Sequence, residues 1–344
     1  MKPDFCKRKY GLILTAVLLL TAVLAGGITL WRMWLKPIDT ADGTYLYIDA
    51  DDTTDSVYNH IRTVGDTWTA TGFRLAARLT GYRLHTGRYV LESGDNGLRL
   101  FRKLKQGRQT PLKLTLPGVR TLNRLAAVLG DRLMTDSATW AQTFGDTVFT
   151  ARYGYDTATL PALFIPNTYE VYWDMSPEAF FDRMAREHDA FWTERRRQLA
   201  EEAGLTPIEA VTLASIVDEE TANNGEKPMI AGMYINRLRT GMPLQADPTV
   251  KFALKDFGLR RIYHKHLEVE SPYNTYRNTG LPPGPIRIPS IAGVDAVLNH
   301  VHHDYLYMCA KEDFSGTHNF ARTYREHLAN AARYVRALEK RQIK

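Results

Sequence analysis

The sequence predicts a mixed α+β protein behind a single N-terminal membrane helix, and three observations carry that prediction. Residues Gly11 to Trp31 hold no charged side chain, and about 21 apolar residues match the ~20 that cross a bilayer core as a helix. Short β-rich runs, at Thr44–Ile48, Gly87–Leu91 and Leu112–Leu116, are separated by helical patterns. The 344 residues are 44% hydrophobic and 24% charged, a globular composition that excludes a disordered tail, a collagen-like fibre and a polytopic membrane protein.

Taken in order, Lys7, Arg8 and Lys9 precede the apolar run, and Trp31, Arg32 and Trp34 follow it. Positive charge on the near side and aromatic rings at the far end predict a cytoplasmic N-terminus and an exported remainder. A cleaved signal peptide is the competing reading, with Ala22-Val23-Leu24-Ala25 as its cleavage site. The run is longer than the ~7–15 residues of a signal core, which favours an uncleaved anchor. Beyond it, Thr44–Ile48 reads as a strand, Ser56–Val64 and Thr69–Leu79 as helices, and Gly87–Leu91 as a closing strand. Leu98–Leu104 reads as a helix, Leu112–Leu116 as a strand stopped by Pro117-Gly118, and Thr121–Leu129 as a Thr-capped helix. One long helix is predicted over Pro177–Ala203.

Lys and Arg number 44 against 38 Asp and Glu, a net charge of +6. The basic runs, Arg102–Lys105, Arg195–Arg197 and Arg260-Arg261, are scattered, so they read as solvated faces, and no nucleic-acid partner is expected. The cysteines Cys6 and Cys309 fall on opposite sides of the membrane under this topology, leaving no disulfide framework. Cys309 sits in the run Tyr305–Ala310, which reads as a buried strand.

The chemistry concentrates between Thr206 and Phe320. Thr206-Pro207-Ile208-Glu209 is a capping box with proline at the first helical position. The helix beyond it is apolar nearly all round, so it is expected to be buried, and it ends in Asp218-Glu219-Glu220. Helical spacing places Glu220 on the face of Leu213, Ile216 and Val217. Apolar neighbours and the negative pole of the helix both favour a protonated carboxyl. A carboxyl that keeps its proton near neutral pH suits a general acid. The alternative, a solvated acidic helix end, stays open at this point. Met229–Arg239 reads as a further helix, and Leu244–Thr249 as an extended piece running into another. Ser271–Pro289 is a Pro/Gly-rich loop carrying Tyr273, Asn274, Tyr276, Asn278 and Arg287. Long structured loops are commonly functional, and rings with amides suit sugars.

Several of these segments resemble the YceG-like family of MltG-type endolytic murein transglycosylases: Leu213–Thr221, Ile235–Leu238, Leu244–Val250, Tyr273–Tyr276 and Thr279–Ile286, with His318 and Phe320 beyond them. The resemblance implies that Glu220 is the catalytic acid/base. It implies substrate binding by Asn236, Arg237, Gln245, Asp247, Tyr273, Asn274, Tyr276 and His318, with no metal and no cofactor. The implied substrate is a nascent peptidoglycan strand, cut between N-acetylmuramic acid and N-acetylglucosamine. Attack by the C6 hydroxyl of the muramic residue would leave a 1,6-anhydro end and terminate elongation. Asp218 stands where the family has Glu, Glu219 where Lys is common, and Pro161-Ala162 and Asn167 replace Glu-Gly and Asp, so neither Asp218 nor Asn167 is given a catalytic role.

The resulting organisation is a cytoplasmic segment 1–10, an anchor 11–31, a β-α-α-β module 40–108 that resembles LysM and reads equally as a packing or spacer domain, a connecting α/β segment 109–160 and a catalytic domain 161–344. Expected partners are the inner membrane, glycan strands and a peptidoglycan synthase complex. Three rivals remain. A hydrolytic muramidase would use Asp247 as a second acid, a wall-binding scaffold would need no acid, and a metal site would draw on His300, His302 and His303. Adjacent histidines do not easily share one ion, which counts against the last.

Overall fold

The uninterrupted apolar run folds as α1 (Asp4–Trp34), and its segment Arg8–Trp34, 27 residues whose most apolar stretch is not buried and whose last residue, Trp34, packs on the first unit's core, is long and apolar enough to cross a membrane. The computed structural model describes residues 4–41, 43–259 and 261–341. Arg260 of the third basic run, and the side chains of Cys6 and Lys7, lie outside the described residues. The chain divides into two compact units, Met1–Lys113 with Glu170–Met175, and Leu114–Tyr169 with Ser176–Lys344.

In the first unit, β1 (Thr44–Ile48), α2 (Thr54–Val64), α3 (Thr67–Thr80) and β2 (Gly87–Leu91) succeed one another, and α4 (Gly97–Lys105) closes the set. The two strands pair antiparallel, Thr44 opposite Leu91 and Ile48 opposite Gly87. Each helix begins on a side-chain cap: Thr53 and Ser56 form a reciprocal box, and Asp66 and Asn96 accept from Thr69 and Arg99. Gly81 ends α3 at φ 58°, a left-handed conformation that glycine adopts without a Cβ clash. Leu46, Ile48, Val57, Ile61, Tyr89, Leu91 and Leu104 are buried between the strands and helices. Each such aliphatic side chain contributes about 1.5–3 kcal/mol.

The second unit holds α5 (Leu122–Gly130), α6 (Ser137–Gly145) and α7 (Thr147–Ala151), then α8 (Pro177–Phe191) and α9 (Glu194–Ala203). β3 (Leu112–Thr115) and β4 (Thr168–Val171) each span the boundary between units. An edge-on aromatic cluster of Trp140, Phe144, Phe164, Phe180 and Phe181 forms part of its core. The single helix expected over 177–203 is two helices. Trp192 leaves helical geometry at φ −81°, ψ 67° and is buried, and Thr193 caps α9 by accepting from Arg196. Two basic runs are also less solvated than expected, since Lys103 meets the buried Asp95 at 2.6 Å and Arg196 meets Asp295 at 2.9 Å.

The remaining elements build the site. They are α10 (Pro207–Glu220), α11 (Lys227–Arg239), α12 (Asp247–Leu254), α13 (His264–Leu267) and α14 (Ile291–Leu298), the hairpin β5 (Tyr307–Ala310) and β6 (His318–Ala321), and α15 (Tyr324–Lys340). α10 is central, packed by α9, α11, α12 and α14. The hairpin pairs Ala310 with His318 and Tyr307 with Ala321. Cys309 lies in a half-buried strand rather than a buried one: every residue of β5 keeps some surface, and α15 packs on the hairpin.

Candidate active site

The site begins with α10. Its capping box forms as the sequence predicts: Thr206 accepts from the Glu209 amide, and Glu209 accepts from the Thr206 amide at 2.8 Å. Every residue from Ala210 to Val217 is buried. The helix is held to the Pro/Gly-rich segment from inside, because Ser215 Oγ accepts the Ile286 amide at 3.0 Å. The acidic end is not a solvated one. The Asp218 side chain is 4% exposed; it meets Lys227 at 2.7 Å and accepts the Ser290 amide at 2.6 Å. Glu219 takes a bidentate pair from Arg120 at 2.9 and 2.8 Å and a further bond from Arg287 at 2.9 Å.

Glu220 is treated differently from its two neighbours. No ion pair meets it among the described residues; its Oε1 accepts the Tyr234 hydroxyl at 2.7 Å. The residue keeps some surface on the cleft, while protein crowds the carboxyl and pushes its pKa up from 4.5 to about 7. Desolvation is the main cause; the Tyr234 bond works against it, the charge of Asp247 adds to it, and His318 and Lys251 oppose it. With Oε1 occupied by Tyr234, Oε2 is the oxygen free to carry a proton. Tyr234 is itself buried, and burial beside Glu220 holds its hydroxyl well above the usual phenol range.

The carboxyl opens on a cleft of about 230 Å³, whose lining includes Arg237, Gln245, Asp247, Tyr276 and His318. Arg237 is a buried staple: Nε donates to the Leu306 carbonyl at 2.6 Å and Nη1 to Leu244 at 2.9 Å. That staple fixes the extended piece where Gln245 sits at φ 50°, a left-handed conformation that costs a non-glycine residue about 1–2 kcal/mol. The Gln245 amide donates to Thr275 at 3.0 Å, and the Ala246 amide to Thr275 Oγ1 at 3.0 Å, so both sides of the bend are tied. Asp247 accepts the Tyr276 hydroxyl at 2.6 Å.

The YceG-like family matches residues 46–333. The chain belongs to the YceG-like family. It is similar over 128 residues, at 41% identity, to a Bacillus subtilis (strain 168) protein named endolytic murein transglycosylase, which covers 36% of this chain and 34% of that protein. A Streptococcus pneumoniae (strain D39) protein of the same name is 26% identical over 339 residues, 88% of this chain and 60% of the relative. The chain therefore spans well under the full length of both curated relatives. The crystal structure of a YceG-like protein from Listeria monocytogenes aligns with a TM-score of 0.54 at 27% identity, over 84% of this chain and 99% of that one.

In this YceG-like chain the structure gathers Glu220, Arg237, Gln245, Asp247, Tyr276 and His318 around one cleft. It places Asn236, Tyr273 and Asn274 elsewhere. Asn236 donates to the carbonyls of His303, at 2.6 Å, and Tyr305, beside the histidine-rich turn. Asn274 is fully buried, spending both amide hydrogens on Leu267 and Val269 at 2.8 and 2.9 Å. Tyr273 lies tilted against Phe252, ring centres 4.7 Å apart, and faces a separate hollow of about 570 Å³. That hollow is larger, and its lining holds no acid. His303 is engaged at both ring nitrogens, by the Met229 carbonyl and the Tyr305 amide, and among the described residues no cluster of His, Cys, Asp or Glu has a metal-binding arrangement. Asn167 bonds its own neighbour's amide, Thr168, and serves the backbone. Sequence reasoning places Tyr234 on the helix over 229–239 but gives it no role in the site; its bond to Glu220 is visible only once α10 and α11 are packed.

Proposed function

We propose that this chain is an endolytic peptidoglycan lytic transglycosylase anchored in the inner membrane by α1, with its N-terminus cytoplasmic and its site exported. The observation that carries the reading is Glu220, an unpaired carboxyl raised to about 7 and facing a polar cleft, next to two acids that cations hold. A proton held near neutrality is what a glycosidic oxygen needs in order to leave. The relatives named endolytic murein transglycosylase support the substrate class, a peptidoglycan strand.

Glu220 protonates the oxygen between N-acetylmuramic acid and N-acetylglucosamine. The C6 hydroxyl of the muramic residue then closes on C1, giving a 1,6-anhydro end without water. The nucleophile is already tethered, which raises its effective concentration and removes the need for a second carboxylate to hold a water. Arg237, Gln245, Asp247, Tyr276 and His318 hold the sugar, and the 40–108 module, with its β1-α2-α3-β2 order, is LysM-like and adds grip on the glycan. Cutting within new strands beside the membrane ends their elongation, in company with the synthases that make them.

Asp247 on the same cleft keeps one alternative, a hydrolytic muramidase with two acids. Digestion of peptidoglycan by the detergent-solubilised full chain, beside its Glu220→Gln variant, separates the readings by product mass. Anhydro ends that vanish in the variant support the transglycosylase; reducing ends support the hydrolase; cleavage unchanged in the variant removes Glu220 from the chemistry.

A further inference from the structure

The end of α1 is not a free tether. Its last turn is built into the first unit: Trp34 meets Phe101 edge-on, ring centres 6.4 Å apart, and just beyond it the Ile38 amide donates to the Asp95 carbonyl at 2.8 Å. α3 and α4 close on the Met33 backbone through glycines. A Cβ at Gly72 would come within 3.1 Å of the Met33 carbonyl oxygen, and one at Gly97 would overlap it. The direction of α1 therefore fixes how this unit is turned. Gly72 also marks the face of α3 that looks toward α1. Trp68, Leu75 and Leu79 lie four residues before it, three after it and seven after it, so they share that face. The far side of α3, Ala70, Phe73 and Ala77, is buried in the unit. The near side is bare: Trp68, Leu75 and Leu79 are 39%, 44% and 77% exposed. Leu35, directly after α1, is exposed as well, and the Arg32 guanidinium lies 5.6 Å from the Trp68 ring centre.

Length sets the depth of that face. The charge-free residues Gly11 to Trp31 run about 32 Å at ~1.5 Å each, against a hydrocarbon core ~30 Å thick, so Trp31 ends at its outer edge. Met33 is two residues further, about 3 Å along the axis, while the headgroup layer extends ~5–7 Å beyond the core. Gly72, against Met33, therefore lies within the headgroup layer, and the apolar side chains of its face point toward the acyl chains. Trp and Leu on one face with Arg at its flank are the chemistry of a helix lying in a membrane interface. Resting on the anchored reading above, we propose that the α3 face of Trp68, Leu75 and Leu79 is a second membrane contact, seated in the outer leaflet beside α1. Its partner is a lipid surface, with acyl chains for the ring and the leucines and phosphates for Arg32 and the exposed Arg78. Held by α1 and α3 together, the first unit keeps one orientation on the bilayer instead of swinging over it.

The full chain in vesicles of phosphatidylcholine and phosphatidylglycerol, with and without bromine on the acyl chains close to the headgroup, tests this. Bromine quenches a tryptophan that touches it. Subtracting the emission of Trp68→Phe from that of the parent isolates Trp68, and Trp31→Phe isolates Trp31 in the same way. Trp68 is expected to lose about half or more of its emission, as suits a ring ~5–10 Å into the headgroup boundary. Leu75→Asp combined with Leu79→Asp changes exposed positions and leaves the core intact; it is expected to cut the Trp68 loss at least about twofold and to leave Trp31 quenched. A quenched Trp31 beside a bright Trp68 overturns the proposal, as does Trp68 quenching that the two aspartates leave unchanged. If Trp31 is bright as well, the anchored reading itself is overturned.

Discussion

Glu220→Gln should make the protein more stable, and by an amount that depends on pH. The native carboxyl holds its proton up to about pH 7, while the unfolded one lets go near 4.5. Below 4.5 both states are protonated and the residue is neutral in the balance. As pH rises the unfolded chain gains an ion that water solvates, and the native chain does not, so stability falls until the native group also ionises. The difference of pKa, at ~1.36 kcal/mol per unit, amounts to about 3 kcal/mol, fully developed above about pH 8. Glutamine has the same shape, keeps an oxygen for the Tyr234 hydroxyl and carries no charge to desolvate. Urea unfolding of the detergent-solubilised chain, monitored by the fluorescence of the buried Trp140 and Trp192, measures the gain at pH 4.5, 6 and 8. The variant should gain almost nothing at pH 4.5, about 2 kcal/mol at pH 6 and about 3 kcal/mol at pH 8. An equal gain at every pH would refute the titration argument, and a loss at pH 8 would mean that the carboxylate is welcome in the fold.

The same proton sets the activity profile. kcat/KM should fall about tenfold per unit above pH 7, where free Glu220 loses the proton it donates, as rates on defined strands would show. Tyr234→Phe removes the bond that opposes the shift, so that alkaline limb should move to higher pH in the same assay. Lys227→Met leaves Asp218 buried without its cation and should cost about 3–5 kcal/mol in urea unfolding, a loss that Asp218→Asn in the same chain should partly repair. Gly293→Ala places a methyl 2.5 Å from Asp218 Oδ1, so the pair with Lys227 must shift; about 1–3 kcal/mol of stability should be lost, read by the same unfolding curves.

Local signals in the sequence reach the site quite closely. The capping box at Thr206, the proline at the first helical position and the apolar sides of α10 are properties of neighbouring residues, so the helix, its burial and the face of Glu220 emerge from spacing alone. The features that spacing misses depend on distant partners. The break between α8 and α9 carries no Gly or Pro; it exists because Trp192 turns inward and Thr193 caps the first turn of α9. β4 and β6 are four residues each and are completed by the strands they pair with. α15 has a sound capping box at Thr323 and Glu326, a local signal that sequence reasoning passed over. The loop residues Tyr273 and Asn274 have the chemistry of sugar binders, but Asn274 accepts the Tyr276 amide and donates to two carbonyls, so it builds the loop that presents Tyr276. Composition alone cannot tell the residue that shapes a loop from the one the loop displays. Asp218 and Glu219 show the same limit: three adjacent acids look alike until Lys227, Arg120 and Arg287 arrive from elsewhere in the chain.

The central claim is that one carboxyl keeps its proton near neutrality, and infrared difference spectroscopy reads that proton directly. Subtracting the spectrum of Glu220→Gln from that of the parent across a pH series isolates the Glu220 carbonyl stretch. The account predicts a protonated-acid band that persists at pH 6 and fades through about pH 7. A band already gone by pH 5.5, leaving only carboxylate, would contradict it.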